Sequence, residues 1–233
     1  MPKLSSKNNY INLSVIILIS LLLDNFFINN INYPPAWDQG YHLTNLFKMN
    51  NILEDYSLNI FDKFNQLLNV TDNYRGPLTY FLSAIFLKFF KNNYHYAYLS
   101  NQIFNIICII SIFNIGKFFR NQSIGLWASV IFTFSSLVVN QRTDYLIDLS
   151  LTSFSTLNLF FFTKWYFDKK NFSRFSIFSG FSLGLIFLIK PTGIIIFCLP
   201  FLLIILKLAK NKNNFNQTII ELFAFTFSFI TII

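Results

Sequence analysis

Asp38 is the side chain in this sequence best placed to move a proton. It lies in Tyr33-Pro34-Pro35-Ala36-Trp37-Asp38-Gln39-Gly40-Tyr41-His42, directly after an apolar segment running from about Tyr10 to Ile28. That segment is long enough to cross the roughly 30 Å hydrocarbon layer of a bilayer. The two prolines end its helix, and Trp37 and Tyr41 carry amphipathic rings that settle at a membrane–water boundary. A carboxylate held at that depth can take a proton from a polar acceptor while a lipid-borne group is held beside it. Its competing role is to cap a helix beginning near Gly40.

Two cations have the chemistry of phosphate ligands. Arg75, in Tyr74-Arg75-Gly76-Pro77, can pair bidentately with a phosphate, and Pro77 suits the first turn of a helix whose free N–H groups also favour an anion. Anchoring at lipid headgroups is the plainer role for Arg75. Lys190 closes Gly180-Phe-Ser-Leu-Gly184-Leu-Ile-Phe-Leu-Ile-Lys190-Pro191-Thr192-Gly193, a tight helical hairpin with no acid near the lysine in sequence. Gly180 and Gly184 allow close helix packing and Pro191 to Gly193 makes the turn. Snorkelling from a span end competes with a phosphate role for Lys190.

Further candidates cluster in Arg142-Thr143-Asp144-Tyr145-Leu146-Ile147-Asp148. Asp144 and Asp148 are four apart, so a helix starting at Asp144 would show both on one face. Asp148 alone could serve a helix N-terminus. The pair leaves a divalent cation open, although no His or third acid is fixed beside it. Asp24 lies inside the first apolar segment, where an acid is a functional suspect. His42 and His95 are single imidazoles without metal-ligand spacing, and Cys108 and Cys198 read as small core hydrophobes. There is no nucleotide-phosphate loop, Ser-His-Asp ordering or zinc motif.

The elements that must position these residues are apolar. Of the 233 residues 54% are hydrophobic, 32 are Phe and only 12% are charged, in blocks too long for a soluble domain to bury. The chain reads as an all-α, polytopic transmembrane bundle. Its net charge of +8 sets orientation; no basic stripe with interleaved aromatics lies outside the spans, which argues against nucleic acid. Lacking a small-residue cleavage site, the first block is an anchor and not a signal peptide.

Seven spans are expected: Tyr10–Ile28, Tyr96–Gly116, Ile124–Val139, Asp148–Phe167, Phe175–Ile189, Thr192–Leu206 and Thr218–Ile233. Pro77–Phe90 is too short to cross and is expected as an interfacial or re-entrant helix in the first outer loop. The inner side then holds Lys3, Lys7, Lys117, Arg120, Lys164, Lys169, Lys170, Arg174, Lys207, Lys210 and Lys212, eleven of the 18 basic residues. Letting Pro77–Phe90 cross would throw the clusters Lys117/Arg120, Lys169/Lys170/Arg174 and Lys207/Lys210/Lys212 outside, against the positive-inside rule. One face thus collects Asp38, Tyr74, Arg75, Arg142, Asp144, Asp148 and Lys190, with Lys91 on the same side.

Taken in order, these segments resemble the membrane-embedded glycosyltransferases of the GT-C class. The resemblance is to bacterial relatives of the dolichyl-phosphate-mannose–protein mannosyltransferases and of the lipid A aminoarabinose transferases. It rests on Trp37-Asp38-Gln39-Gly40-Tyr41 after the first span, Gly76-Pro77-Leu78-Thr79-Tyr80, Asp148-Leu-Ser-Leu, and the hairpin from Gly180 to Lys190. It implies a sugar transferred from a polyprenyl-phosphate donor to a lipid, glycan or protein acceptor on the outer face of a bacterial plasma membrane. It further implies Asp38 as general base, Arg75 or Lys190 neutralising the leaving phosphate, and Asp148 lining the site; Tyr74, Arg142 and Asp144, gathered on the same face, are read as further substrate- or phosphate-binding candidates. No organic cofactor is implied.

Two features depart from that pattern. Many relatives carry a second acid immediately after the first, where this chain has Gln39. Family members are also longer, with more spans, so residues 1–233 read as a single GT-C-like module incomplete at its C-terminus. A transporter or lipid-carrier flippase is the competing class, and a truncated non-catalytic remnant is another. Transporters place polar sites near the midplane and often carry inverted repeats, whereas the polar residues here gather at one face.

Overall fold

The computed structural model describes residues 6–30, 35–72, 74–90, 94–167, 174–210 and 215–233. Tyr33, Pro34, Lys3, Lys91, Lys169, Lys170 and Lys212 therefore lie outside the described residues. Within them the regular structure is entirely helical. The helices are α1 (Ser6–Asn29), α2 (Trp37–Glu54), α3 (Ile60–Leu68), α4 (Leu78–Phe89), α5 (Leu99–Phe119), α6 (Gln122–Phe134), α7 (Ser136–Thr143), α8 (Asp148–Phe167), α9 (Phe175–Ile189), α10 (Cys198–Lys210) and α11 (Phe215–Ile230).

Each expected span falls on one of these elements, but not every one is a plain crossing. Two helices, at Asn8–Asn29 and His95–Phe119, are long and apolar enough to cross a membrane alone. A third arises if α6 and α7, bent by 60° at Ser135, count as one broken span. The expected span Ile124–Val139 is thus a kinked pair, and Thr192–Leu206 begins as a 3-10 turn over Pro191–Phe197 before α10. Pro191 favours that tight start because it fixes its own φ and has no N–H to leave unpaired.

The packing is polar inside and apolar outside. Leu18, Leu22 and Phe26 of α1 point outward at 56–64% exposure, whereas Ser20 and Asp24 on the same helix are fully buried. Ser20 accepts from Asn105 of α5 at 2.6 Å, and Asn158 of α8 donates to the Ser179 carbonyl at 2.7 Å and to Ser182 at 3.0 Å. Small and hydroxylic residues let helices approach closely when lipid supplies no hydrophobic contrast. Gly180 and Gly184 serve that end: a Cβ on Gly180 would run into the Phe225 carbonyl of α11, and one on Gly184 into Ile232 just beyond that helix. Cys108 is buried, as expected of a core thiol, but Cys198 is exposed.

α4 is the helix expected not to cross. Its 12 residues span about 18 Å, well short of the hydrocarbon layer. Thr79 in its first turn bonds Ser150 at the start of α8, and Ser83 one turn on bonds Ser100 at the start of α5. It is not an amphipathic surface helix, however, because Tyr80, Ala84 and Leu87 are fully buried. α4 is packed into the end of the bundle, and the basic residues Lys117 and Lys164 lie at the other end. There Lys117 donates to Tyr10 and Lys164 sits over the Phe118 ring.

Candidate active site

Four chain segments meet at the end of the bundle where α4 is lodged. The first is the start of α2. Its N-cap is Ala36, which makes no side-chain cap bond, so Asp38 does not cap the helix as the competing role required. Asp38 is exposed in the first turn and makes no hydrogen bond or ion pair among the described residues. A carboxylate free at a helix start is favoured there by the dipole and stays available to solvent.

One turn later, His42 is buried at 4% exposure and its Nδ1 lies 2.6 Å from the Tyr80 hydroxyl. Burial, then the charge of Arg75, pulls the His42 pKa below its ordinary 6.5, against the opposing charges of Asp148, Asp38 and Asp72. Burial also pushes the Tyr80 phenol up. The contact is one hydrogen bond between a buried imidazole and a buried phenol, its direction set by the imidazole tautomer. The four charges that act on His42 define the site: three carboxylates and a guanidinium around one buried ring.

The second segment is the turn Asp72–Pro77. Arg75 pairs with Asp72 at 2.9 Å and its guanidinium lies 4.5 Å over the Tyr41 ring, while Tyr41 donates to Asp72 at 3.0 Å. Burial works against charge on Asp72, but the bonds from Tyr41 and the Tyr74 N–H and the Arg75 charge outweigh it, so its carboxyl titrates below the usual range. Tyr74 itself is exposed.

The third segment, the end of α9, receives that turn directly. Gly76 N–H donates to the Ile189 carbonyl at 2.8 Å, and a Cβ on Gly76 would collide with the Leu188 carbonyl. Only glycine lets the backbones meet, which sets the residue after Arg75 against the residue before Lys190. Gly76→Ala should therefore push the turn off α9 and lower stability by roughly 1–3 kcal/mol, as overpacking does. A thermal melt in detergent checks this, and an unchanged midpoint would contradict the contact.

The fourth segment is the start of α8. Asp148 is its first residue and faces Lys190, with Nζ to Oδ1 at 3.9 Å and both side chains partly exposed. The lysine read from sequence as lacking an acid has one from another helix. Asp144 does not share the face of Asp148: it is extended (φ −100°, ψ 139°), and α8 starts only four residues later. Burial raises the Asp144 carboxyl pKa, offset by a hydrogen bond from Gln39. Facing Gln39 and Lys190 respectively, the two acids do not combine, and no cluster of three His, Cys, Asp or Glu suited to a metal occurs among the described residues.

Arg142 departs most from its expected place. It is 1% exposed and bonded to Asp24 of α1 at 2.9 Å, with a second bond to the Thr133 carbonyl. The break at Ser135 deprives that carbonyl of its helical partner. Arg142 is therefore an internal brace and cannot reach a phosphate at the surface. The turn that follows it is held by Asn101, which donates to the carbonyls of Arg142 (3.2 Å) and Asp144 (2.9 Å).

An apolar groove of about 460 Å³ runs beside α8, lined by Leu151, Thr152, Ser155, Thr156, Leu159 and Ile196 among others. Positions 148, 152, 155 and 159 follow a helical repeat, so the groove continues along the face that Asp148 begins. Sequence reasoning missed the groove, His42 with Tyr80, and the Tyr41–Asp72–Arg75 cluster. The one advance signal was the spacing of Asp38 and His42, a single helical turn.

The family model described as dolichyl-phosphate-mannose-protein mannosyltransferase matches residues 74–233, more than half of the chain. The match takes in Arg75, Asp144, Asp148 and Lys190 and begins after Asp38. No curated protein and no solved structure matches the chain. The helical, apolar-faced bundle agrees with that match, and the chain belongs to the dolichyl-phosphate-mannose–protein mannosyltransferase family, membrane glycosyltransferases of the GT-C type.

Proposed function

We propose that the chain transfers a sugar from a polyprenyl-phosphate donor to an acceptor hydroxyl on the outer face of a bacterial plasma membrane. About seven crossings would place Asp38, Arg75, Asp148 and Lys190 on that face. One observation supports the reading most: the Gly76–Ile189 backbone contact sets the residues next to Arg75 and Lys190 against each other, and an apolar groove runs along α8 beyond Asp148, the partner of Lys190. A phosphate suits the cations and a prenyl chain suits the groove. The Lys190–Asp148 pair is long at 3.9 Å, and an ammonium has three donors, so Lys190 keeps capacity for a second anion.

The acceptor oxygen attacks the anomeric carbon while the bond from that carbon to the phosphate oxygen breaks. The polyprenyl phosphate leaves with the bonding electrons and its charge is offset by Arg75 and Lys190. Asp38 takes the acceptor's proton. Tyr74 and Asp144 are further candidates beside these residues, and the buried His42 follows Asp38 by one helical turn.

Arg75→Gln and Lys190→Gln should each weaken binding of polyprenyl phosphate to the reconstituted protein by about 1–3 kcal/mol, the range for a charge-assisted contact. Equilibrium binding of the labelled lipid measures it. Undiminished binding in both variants would rule out the clamp.

A further inference from the structure

A second cavity shares no lining residue with the groove beside α8. It measures about 220 Å³ and sits between the last turns of α1 and the 3-10 turn Tyr94–Tyr98. Asn25 and Asn29 of α1 line it, four apart and so on one helix face. Gln102 donates to the Asn25 oxygen at 3.0 Å, which fixes that amide and leaves it as an N–H donor. The opposite wall holds the His95 imidazole and the rings of Tyr96 and Tyr98, with Tyr96 stacked on Phe90 at 4.8 Å. Ile28 is a buried apolar floor.

The chemistry of this lining is selective. Among the described residues no Lys, Arg, Asp or Glu borders the cavity. Carboxamides, an imidazole and aromatic faces together suit a neutral ligand that carries hydroxyls around a ring with apolar C–H faces. The volume, below the roughly 300 Å³ at which pockets for drug-sized ligands begin, suits a single ring. The cavity is also wired to the reaction centre. Tyr98 donates to Gln39 at 3.4 Å, Gln39 donates to Asp144, and Gln39 is the neighbour of Asp38.

We propose that this cavity holds a neutral sugar ring of the acceptor, which makes the acceptor a glycan or a glycolipid headgroup and not a protein side chain. The proposal rests on the transferase reading for the word acceptor, and on the cavity alone for the sugar. Its test needs no turnover. Methyl hexopyranosides of gluco, galacto and manno configuration are added at millimolar concentration to the full chain in detergent, and saturation-transfer NMR reads binding.

At least one hexoside should give a signal in the wild type and equally in Asp38→Asn and Lys190→Gln. Asn29→Leu and Tyr96→Leu replace exposed side chains and should reduce affinity about tenfold, the scale of one lost hydrogen bond or ring contact. Absence of signal from every hexoside, or affinity unchanged in both cavity variants, would overturn the proposal. Loss of signal in Lys190→Gln would also overturn it, by placing the sugar at the phosphate clamp. Donor turnover is measured separately, so a failed transferase reading would show there while hexoside binding persisted.

Discussion

Asp38→Asn should yield a folded protein whose sugar transfer is lower by about 100-fold or more, the usual scale for removing a general base. The structure removes capping as the rival account of this residue. Ala36 is the N-cap of α2, Asp38 makes no capping bond, and its side chain is exposed, so among the described residues no packing or hydrogen bond depends on its charge. Asn has almost the same volume, and stability should change by no more than about 0.5 kcal/mol, as for other surface substitutions. Activity and stability should therefore separate: the melting midpoint holds while turnover collapses. Near-normal turnover with Asn at this position would remove Asp38 from the mechanism.

Arg142→Met should do the reverse, with a large loss of stability. Its guanidinium and the Asp24 carboxylate are each 1% exposed and 2.9 Å apart, deep between α1 and the break separating α6 from α7. Removing one partner leaves a buried charge without compensation and the Thr133 carbonyl without a donor, which costs about 3–5 kcal/mol for such pairs. Replacing both, as Asp24→Leu with Arg142→Met, should recover most of the loss, because a buried pair is offset by its own desolvation. Chemical or thermal unfolding of the two single variants and the double variant measures this. Equal destabilisation in the double variant would show that the ion pair is not the brace described here. Asp144 and Asp148 hang from the same turn, so the single variant should lose donor binding as well.

The helices were legible in the sequence because apolar blocks broken by Lys, Pro and Asn need no tertiary information. α8 and α9 fall on Asp148–Phe167 and Phe175–Ile189, the very segments their flanking charges marked. The bend at Ser135 was not legible, since neither Pro nor Gly marks it; it is held from outside by Arg142. The site was half legible for a similar reason. Asp38, Arg75 and Lys190 stand out as charges beside apolar runs. Their partners come from distant helices: Asp72 and Tyr41 for Arg75, Asp148 for Lys190 and Tyr80 for His42. No spacing rule joins residues on different helices. The same blindness put Arg142 at the surface, where its sequence neighbours are, when its partner was an acid 118 residues earlier.

The most direct test of the account is transfer itself. The full chain is reconstituted in vesicles with a panel of radiolabelled polyprenyl-phosphate sugars and a glycolipid acceptor fraction, and release of free polyprenyl phosphate is followed with movement of label. The account predicts that one donor is consumed, that free polyprenyl phosphate and labelled acceptor appear in equal amounts, and that Asp38→Asn suppresses both. Protein with an intact fold that consumes no donor in the panel, or that consumes donor equally well with Asn at position 38, would contradict it.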